Sequence, residues 1–157
     1  MKLSSLVKDG AIVSQLAAKE RDAVIAELID ALIAAGAAEA SLRGDLIRSV
    51  LDRERKGSTG FGKGVAVPHV KHAAIKEMAA AVGLSSGGVD FNALDKQPVY
   101  SVFLLLSPEN KPEDHLHAME VIFKNLSKDT FRRFLRQAGS SEDVRVLLQE
   151  ADDQQIS

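Results

Sequence analysis

The chain of 157 residues contains no cysteine. That absence removes disulfides, thiolate nucleophiles, cysteine-ligated zinc and iron–sulfur clusters together. Any chemistry must therefore come from imidazole, carboxylate, hydroxyl or backbone groups. Tryptophan is also absent, there is one tyrosine, and aromatics make up 4% of the chain, which argues against a platform for stacking bases or sugars. Neither sign of charge dominates: 20 Lys+Arg against 22 Asp+Glu leave a formal net charge of −2, so no bulk positive field points to nucleic acid or an anionic membrane. No apolar run approaches the ~20 residues that span a bilayer, and the first ten residues lack the apolar stretch of a signal peptide. We expect a cytoplasmic protein with no direct membrane insertion and no nucleic-acid partner. Internal repeats are missing too, and the four prolines, Pro68, Pro98, Pro108 and Pro112, punctuate the middle of the chain instead of marking a linker.

What is present is the composition of an ordinary soluble globule, 45% hydrophobic and 27% charged. One domain over 1–151 is expected, with a polar tail over 152–157. Apolar residues recur at helical spacing in Val24, Ile25, Leu28, Ile29, Leu32 and Ile33 before Gly36, and again in Leu42, Leu46, Ile47, Val50 and Leu51 before the basic run at Arg53, Arg55 and Lys56. Two N-terminal helices follow. Val65–Val67 is a short β-branched run stopped by Pro68, and the segments 78–84 and 99–106 are nearly continuous apolar runs, as expected of strands buried on both faces. Helical periodicity returns in Leu116, Met119, Ile122, Phe123 and Leu126, then in Phe131, Phe134 and Leu135, then in Val144, Leu147 and Leu148 behind Ser140 and Ser141 as capping residues. Helices interleaved with buried strands predict an α/β sandwich: a mixed, largely parallel central sheet with helices on both faces.

The glycine-rich segment Gly57–Gly64 nearly spells a nucleotide-binding P-loop, but Gly64 stands where a magnesium-binding hydroxyl is required. The order is also reversed, since this loop follows a helix and opens a strand. It reads either as a permissive turn or as a loop whose backbone N–H groups and hydroxyls approach an anion. Four histidines are the groups that titrate near neutrality, His69, His72, His115 and His117. His69 follows the Val65–Val67 run, where Pro68 is expected to end strand pairing, and the carboxyl ends of strands are where α/β sheets bind ligands. His72 reads as an exposed loop residue. Turning the 116–126 helix at about 100° per residue from Leu116 places His115 at about 260°, inside the apolar arc, and His117 at about 100°, facing water. His69 and His115 then share one edge of the sheet if their strands run parallel. The same construction from Val50 puts Arg53 at about 300°, bordering the apolar face, and Arg55 at about 140°, pointing outward. No third ligand at helical offset accompanies the histidines, so neither a metal site nor a cofactor is expected.

Taken together, Arg53-Glu54, Gly57-Ser58-Thr59-Gly60-Phe61-Gly62, Val65-Ala66-Val67-Pro68-His69 and Asp114-His115-Leu116 resemble the enzyme IIA domain of the fructose/mannitol class of the bacterial phosphoenolpyruvate-dependent sugar phosphotransferase system. That class includes nitrogen-related regulatory IIA proteins. The resemblance covers essentially the whole chain. It implies a mannitol/fructose IIA-like sandwich, a phosphoryl group accepted on His69, His115 and Arg53 as further catalytic residues, and Thr59, Ser58 and Gly60 as phosphoryl-binding groups. It further implies the phosphocarrier HPr or a paralogue as donor, and as acceptor an enzyme IIB for sugar uptake or, alternatively, regulatory target proteins.

Overall fold

Residues 1–153 are described here, from a computed structural model. The chain opens with one helical turn, α1 (Leu3–Leu6), and an edge strand, β1 (Val7–Val13), then forms α2 (Arg21–Ala34), a 3-10 turn at Ala40–Leu42 and α3 (Arg43–Lys56). The glycine loop leads into β2 (Val65–Ala66), β3 (His69–His72), β4 (Ala79–Val89) and β5 (Val99–Pro108). Three helices close the chain, α4 (Pro112–Leu126), α5 (Asp129–Gln137) and α6 (Ser141–Asp152).

The strands form one sheet in the order β1-β4-β5-β2, with β3 also pairing β5. Pairing is parallel for β1 with β4 and for β2 and β3 with β5, and antiparallel for β4 with β5. The largely parallel mixed sheet expected from the sequence is therefore what forms. The two apolar runs become its central strands. Their side chains alternate across the sheet with the period of two that a pleated strand imposes. Ala80, Val82, Leu84, Phe103 and Leu105 pack against α4, α5, α6 and α1, whereas Ala79, Ala81, Val102, Leu104 and Leu106 pack against α2 and α3. Each fully buried leucine or phenylalanine on these faces contributes about 1.5–3 kcal/mol by leaving water. The result is a three-layer sandwich.

Several expectations change in detail. Pro68 does not end pairing: it lacks an N–H, but its carbonyl accepts from the Leu105 amide at 3.0 Å, and the chain resumes the ladder with His69 opposite Leu105. His72 is the last residue of β3, not an exposed loop residue. Its Nε2 lies 2.5 Å from the Asp45 carboxylate on α3, while Nδ1 accepts from the Ala74 amide at 3.0 Å. Leu116, counted with the apolar arc of its helix, is 63% exposed. At the C-terminus, Asp152 completes α6 and its carboxylate receives the Ser4 amide and hydroxyl; the rest of the expected tail, 154–157, lies outside the described residues. Ser140 caps α6, its hydroxyl accepting from the Asp143 amide at 3.1 Å.

Candidate active site

Parallel pairing of β3 with β5 decides which face His69 presents. Its partner Leu105 belongs to the face covered by α4, and β5 leads through Glu109–Lys111 directly into α4, whose first turn carries His115. Separate strand-to-helix junctions therefore bring two imidazoles together. Their ring centroids are 5.5 Å apart at an interplanar angle of 47°.

The hydrogen bonds assign the work of each nitrogen on His69. Nδ1 lies 2.8 Å from the Val67 carbonyl oxygen, which has no proton to give, so Nδ1 is the donor and carries the hydrogen. In the neutral ring Nε2 then holds the lone pair. Burial pushes the His69 pKa below its usual value, and the charges of Arg53 and Lys71 push in the same direction, opposed by the bond to Val67. A neutral ring with a free Nε2 lone pair is a nucleophile at physiological pH.

His115 is 5% exposed, and its Nδ1 shares a 2.7 Å hydrogen bond with the hydroxyl of Ser107, which is fully buried on β5. Burial, then the neighbouring His69 and Lys71, lower the His115 pKa to about 4. Both rings are therefore neutral near pH 7. His117 faces solvent, as the helical wheel predicts.

Arg53 sits in the last turn of α3 and donates from Nη1 to the Gly57 carbonyl at 2.9 Å, where it braces the start of the glycine loop. Arg55 points outward to Asp52. The loop itself is held by a group that the sequence reading did not single out. Glu54 is 2% exposed, and its carboxylate accepts the Thr59 amide at 3.1 and 3.2 Å and the Thr59 hydroxyl. A signal for this was available, because Glu54 lies four residues after Val50 and so shares its buried face.

The three loop groups are committed in different ways. Thr59 directs both donors to Glu54, and the Gly60 amide donates to the Ser58 hydroxyl at 3.0 Å, which leaves the Ser58 hydroxyl proton as a donor. Gly60 also packs against Ala93, where a Cβ would come within 3.0 Å of the Ala93 Cβ. Gly62, Lys63 and Gly64 take positive φ values of 123°, 60° and 76° in succession, a turn that favours glycine. Phe61 packs on Phe123 of α4 with centroids 5.0 Å apart, so the loop closes against the helix that carries His115.

Lys71 is a further cation that sequence reasoning missed. Two residues beyond His69 on β3, it shares that strand face, and its charge acts on both imidazoles. With Arg53 it places two cations whose charge acts on His69, in a chain of net negative charge and beside a first turn of α4 that carries Glu113 and Asp114. This arrangement suits a group that arrives and leaves as an anion. Among the described residues no cluster of three or more His, Asp or Glu side chains is positioned to hold a metal ion, and no helix is long and apolar enough to cross a membrane.

Comparison with known proteins adds a family. The family model described as "Phosphoenolpyruvate-dependent sugar phosphotransferase system, EIIA 2" matches residues 5–151. The fructose-specific EIIABC component of Bacillus subtilis is 32% identical over 97% of this chain, which spans only 24% of that relative's length. A nitrogen regulatory protein of Bradyrhizobium diazoefficiens is 34% identical over 94% of this chain and 95% of its own. The crystal structure of the nitrogen regulatory protein IIA-Ntr from Neisseria meningitidis superposes with a TM-score of 0.82 at 30% identity, covering 92% of this chain and 97% of that one.

Proposed function

This chain belongs to the EIIA 2 family of the phosphoenolpyruvate-dependent sugar phosphotransferase system, and from that premise we propose that it is a cytoplasmic phosphoryl carrier that accepts phosphate on Nε2 of His69. The observation that carries this reading is the Nδ1 bond of His69 to the Val67 carbonyl, since it frees one nitrogen and fixes the other as a donor.

In the forward step the Nε2 lone pair attacks the phosphorus of a phosphohistidine on HPr or a paralogue. The new N–P bond forms as the donor's N–P bond breaks, and the donor nitrogen departs with its electron pair. The His69 proton stays on Nδ1, so no general base is needed. Catalysis then consists of alignment and charge stabilisation around a spread-out phosphoryl group. Arg53 and Lys71 offset its charge, His115 supplies a second imidazole beside it, and the Ser58 hydroxyl adds a neutral donor. Thr59 and Gly60 act one step back, by holding the loop. The onward step runs the same chemistry in reverse toward an enzyme IIB; the B and C parts named with the A part in the Bacillus relative are consistent with that acceptor.

A second reading is favoured by the end-to-end likeness to nitrogen regulatory proteins: phosphorylation of His69 places a phosphoryl dianion on this surface, a net gain of about one negative charge while Nδ1 keeps its proton, and changes which regulatory targets the surface binds. Incubation with phosphoenolpyruvate, enzyme I and HPr tests the shared core of both. An acid-labile, base-stable phosphate that disappears in His69→Ala is expected; its absence with cognate donors, or its persistence in that variant, refutes carriage. A pull-down comparing phosphorylated and unphosphorylated chain then separates the readings, because identical partner sets leave carriage alone.

A further inference from the structure

The arginines of this protein divide by their partners. Arg21, Arg43, Arg48, Arg55, Arg132 and Arg145 each lie within ion-pair distance of an aspartate, at 3.3 Å or less, and Arg53 belongs to the site described above. The two that remain, Arg133 and Arg136, sit on α5 and line one groove of about 330 Å³ together with Lys63, Arg132 and Gln137. No carboxylate lines that groove, and among the described residues no ion pair reaches Lys63, Arg133 or Arg136. Asp129 offsets Arg132 alone; gathering Lys63, Arg133 and Arg136 around it without a counter-ion of their own is unfavourable. It is the more notable in a chain with more carboxylates than cations.

Aromatic rings support the cations without occupying their hydrogen-bond donors. The Arg136 guanidinium lies 3.7 Å from the centroid of the Tyr100 ring, and that of Arg133 lies 5.7 Å from the centroid of Phe134. A guanidinium stacked on a ring keeps its N–H edge free for planar, bidentate contact with phosphate oxygens. We propose that the groove between the glycine loop and α5 binds, without covalent chemistry, a small soluble compound bearing two or more closely spaced phosphate groups.

Size selects this class. A groove of about 330 Å³ lies at the lower end of small-molecule sites, which fits a compact polyanion. A nucleic acid would instead track along an extended basic stripe longer than this groove. The position gives the site a consequence as well. Lys63 is part of the Gly57–Gly64 loop, whose other end is braced by Arg53 and tied to Glu54 through Thr59. An anion bridging Lys63 to α5 would pin that loop.

Tyr100 is the one tyrosine and tryptophan is absent, so intrinsic emission reports on this groove directly. The full chain is titrated with sodium pyrophosphate at fixed ionic strength, with sodium sulfate and a short DNA duplex as comparators. We expect a saturable change in Tyr100 emission with pyrophosphate, at least about tenfold tighter than with sulfate. The double variant Lys63→Gln/Arg133→Gln leaves the Arg136–Tyr100 stack in place and should weaken binding by about tenfold or more, with an unchanged urea midpoint. Arg53→Gln should bind pyrophosphate as the parent chain does, which separates this site from the phosphoryl site, and failure of one leaves the other standing. No change beyond that caused by sodium chloride, equal affinity in the double variant, loss of binding in Arg53→Gln, or tighter binding of the duplex than of pyrophosphate each overturns the proposal.

Discussion

Phosphorylation of His69 should raise the pKa of His115 by about two units, and the size of that change follows from the geometry. In the unmodified protein His115 is buried and its pKa is about 4. The two ring centroids are 5.5 Å apart. A unit negative charge at that separation, in a medium of effective dielectric ~20, stabilises a cation by about 3 kcal/mol, or about two pH units. A phosphoryl dianion on a His69 ring that keeps its Nδ1 proton adds a net charge of about −1 and would therefore lift the His115 titration to about 6. The assay is two-dimensional NMR of the histidine ring carbons across pH 3.5–8, before and after enzymatic phosphorylation, with His115→Asn to assign the signal. The sign is also readable in stability. A folded pKa below the unfolded value means that the unfolded chain binds more protons between about pH 4 and 6.5, so stability rises with pH across that window. Allowing for solvent screening, the unmodified protein should lose about 1–2 kcal/mol on acidification through it because of this residue. A His115 midpoint near 6.5 in the unmodified protein, or one that does not move on phosphorylation, would refute the electrostatic reasoning.

Three other perturbations test separate parts of the account. Arg53→Gln removes the cation while leaving His69 and its Val67 bond in place, so phosphoryl transfer from HPr should slow by about 100-fold or more, measured by rapid-quench incorporation; unchanged rates would remove Arg53 from the site. Glu54→Gln should cost about 1–3 kcal/mol in urea unfolding and increase hydrogen exchange at the Thr59 amide, because the carboxylate that accepts three contacts is replaced by an amide with one acceptor; unaltered exchange would mean that the loop is held by something else. Gly88→Ala should destabilise by about 2–4 kcal/mol in the same assay, since Gly88 has φ +88° and an added Cβ would meet the Pro98 Cβ at 2.8 Å; a neutral result would contradict the tight approach of β4 to the Pro98–Tyr100 segment.

What the sequence revealed depended on how far each signal reaches along the chain. Long periodic helices such as α2 and α4, and the apolar runs that became β4 and β5, are local patterns and were legible. The edge strand β1 was not: Val7–Val13 carries Lys8, Asp9 and Gly10 in the middle of the run, and its register slips between Val7 and Ile12. Nor was β3, because a proline is expected to end a strand, whereas the Pro68 carbonyl keeps the ladder connected. The pairing of His69 with His115 was legible through helix geometry together with an assumed parallel sheet. The contacts of Glu54 and His72 were not legible, since the partner of each, Thr59 or Asp45, is set by how the glycine loop folds back and how α3 lies on the sheet. Leu116 misled the helical wheel because it stands at the edge of the apolar arc, where one flanking position decides between core and solvent.

The central claim is that Nε2 of His69 carries the phosphoryl group while Nδ1 keeps its proton for the Val67 carbonyl. Phosphorylating histidine-¹⁵N-labelled protein with phosphoenolpyruvate, enzyme I and HPr, and recording ³¹P–¹⁵N couplings at neutral pH, tests it most directly. The account predicts one phosphorylated histidine, His69, coupled through Nε2, with Nδ1 still protonated; phosphate on Nδ1, on His115 or on no histidine would contradict it.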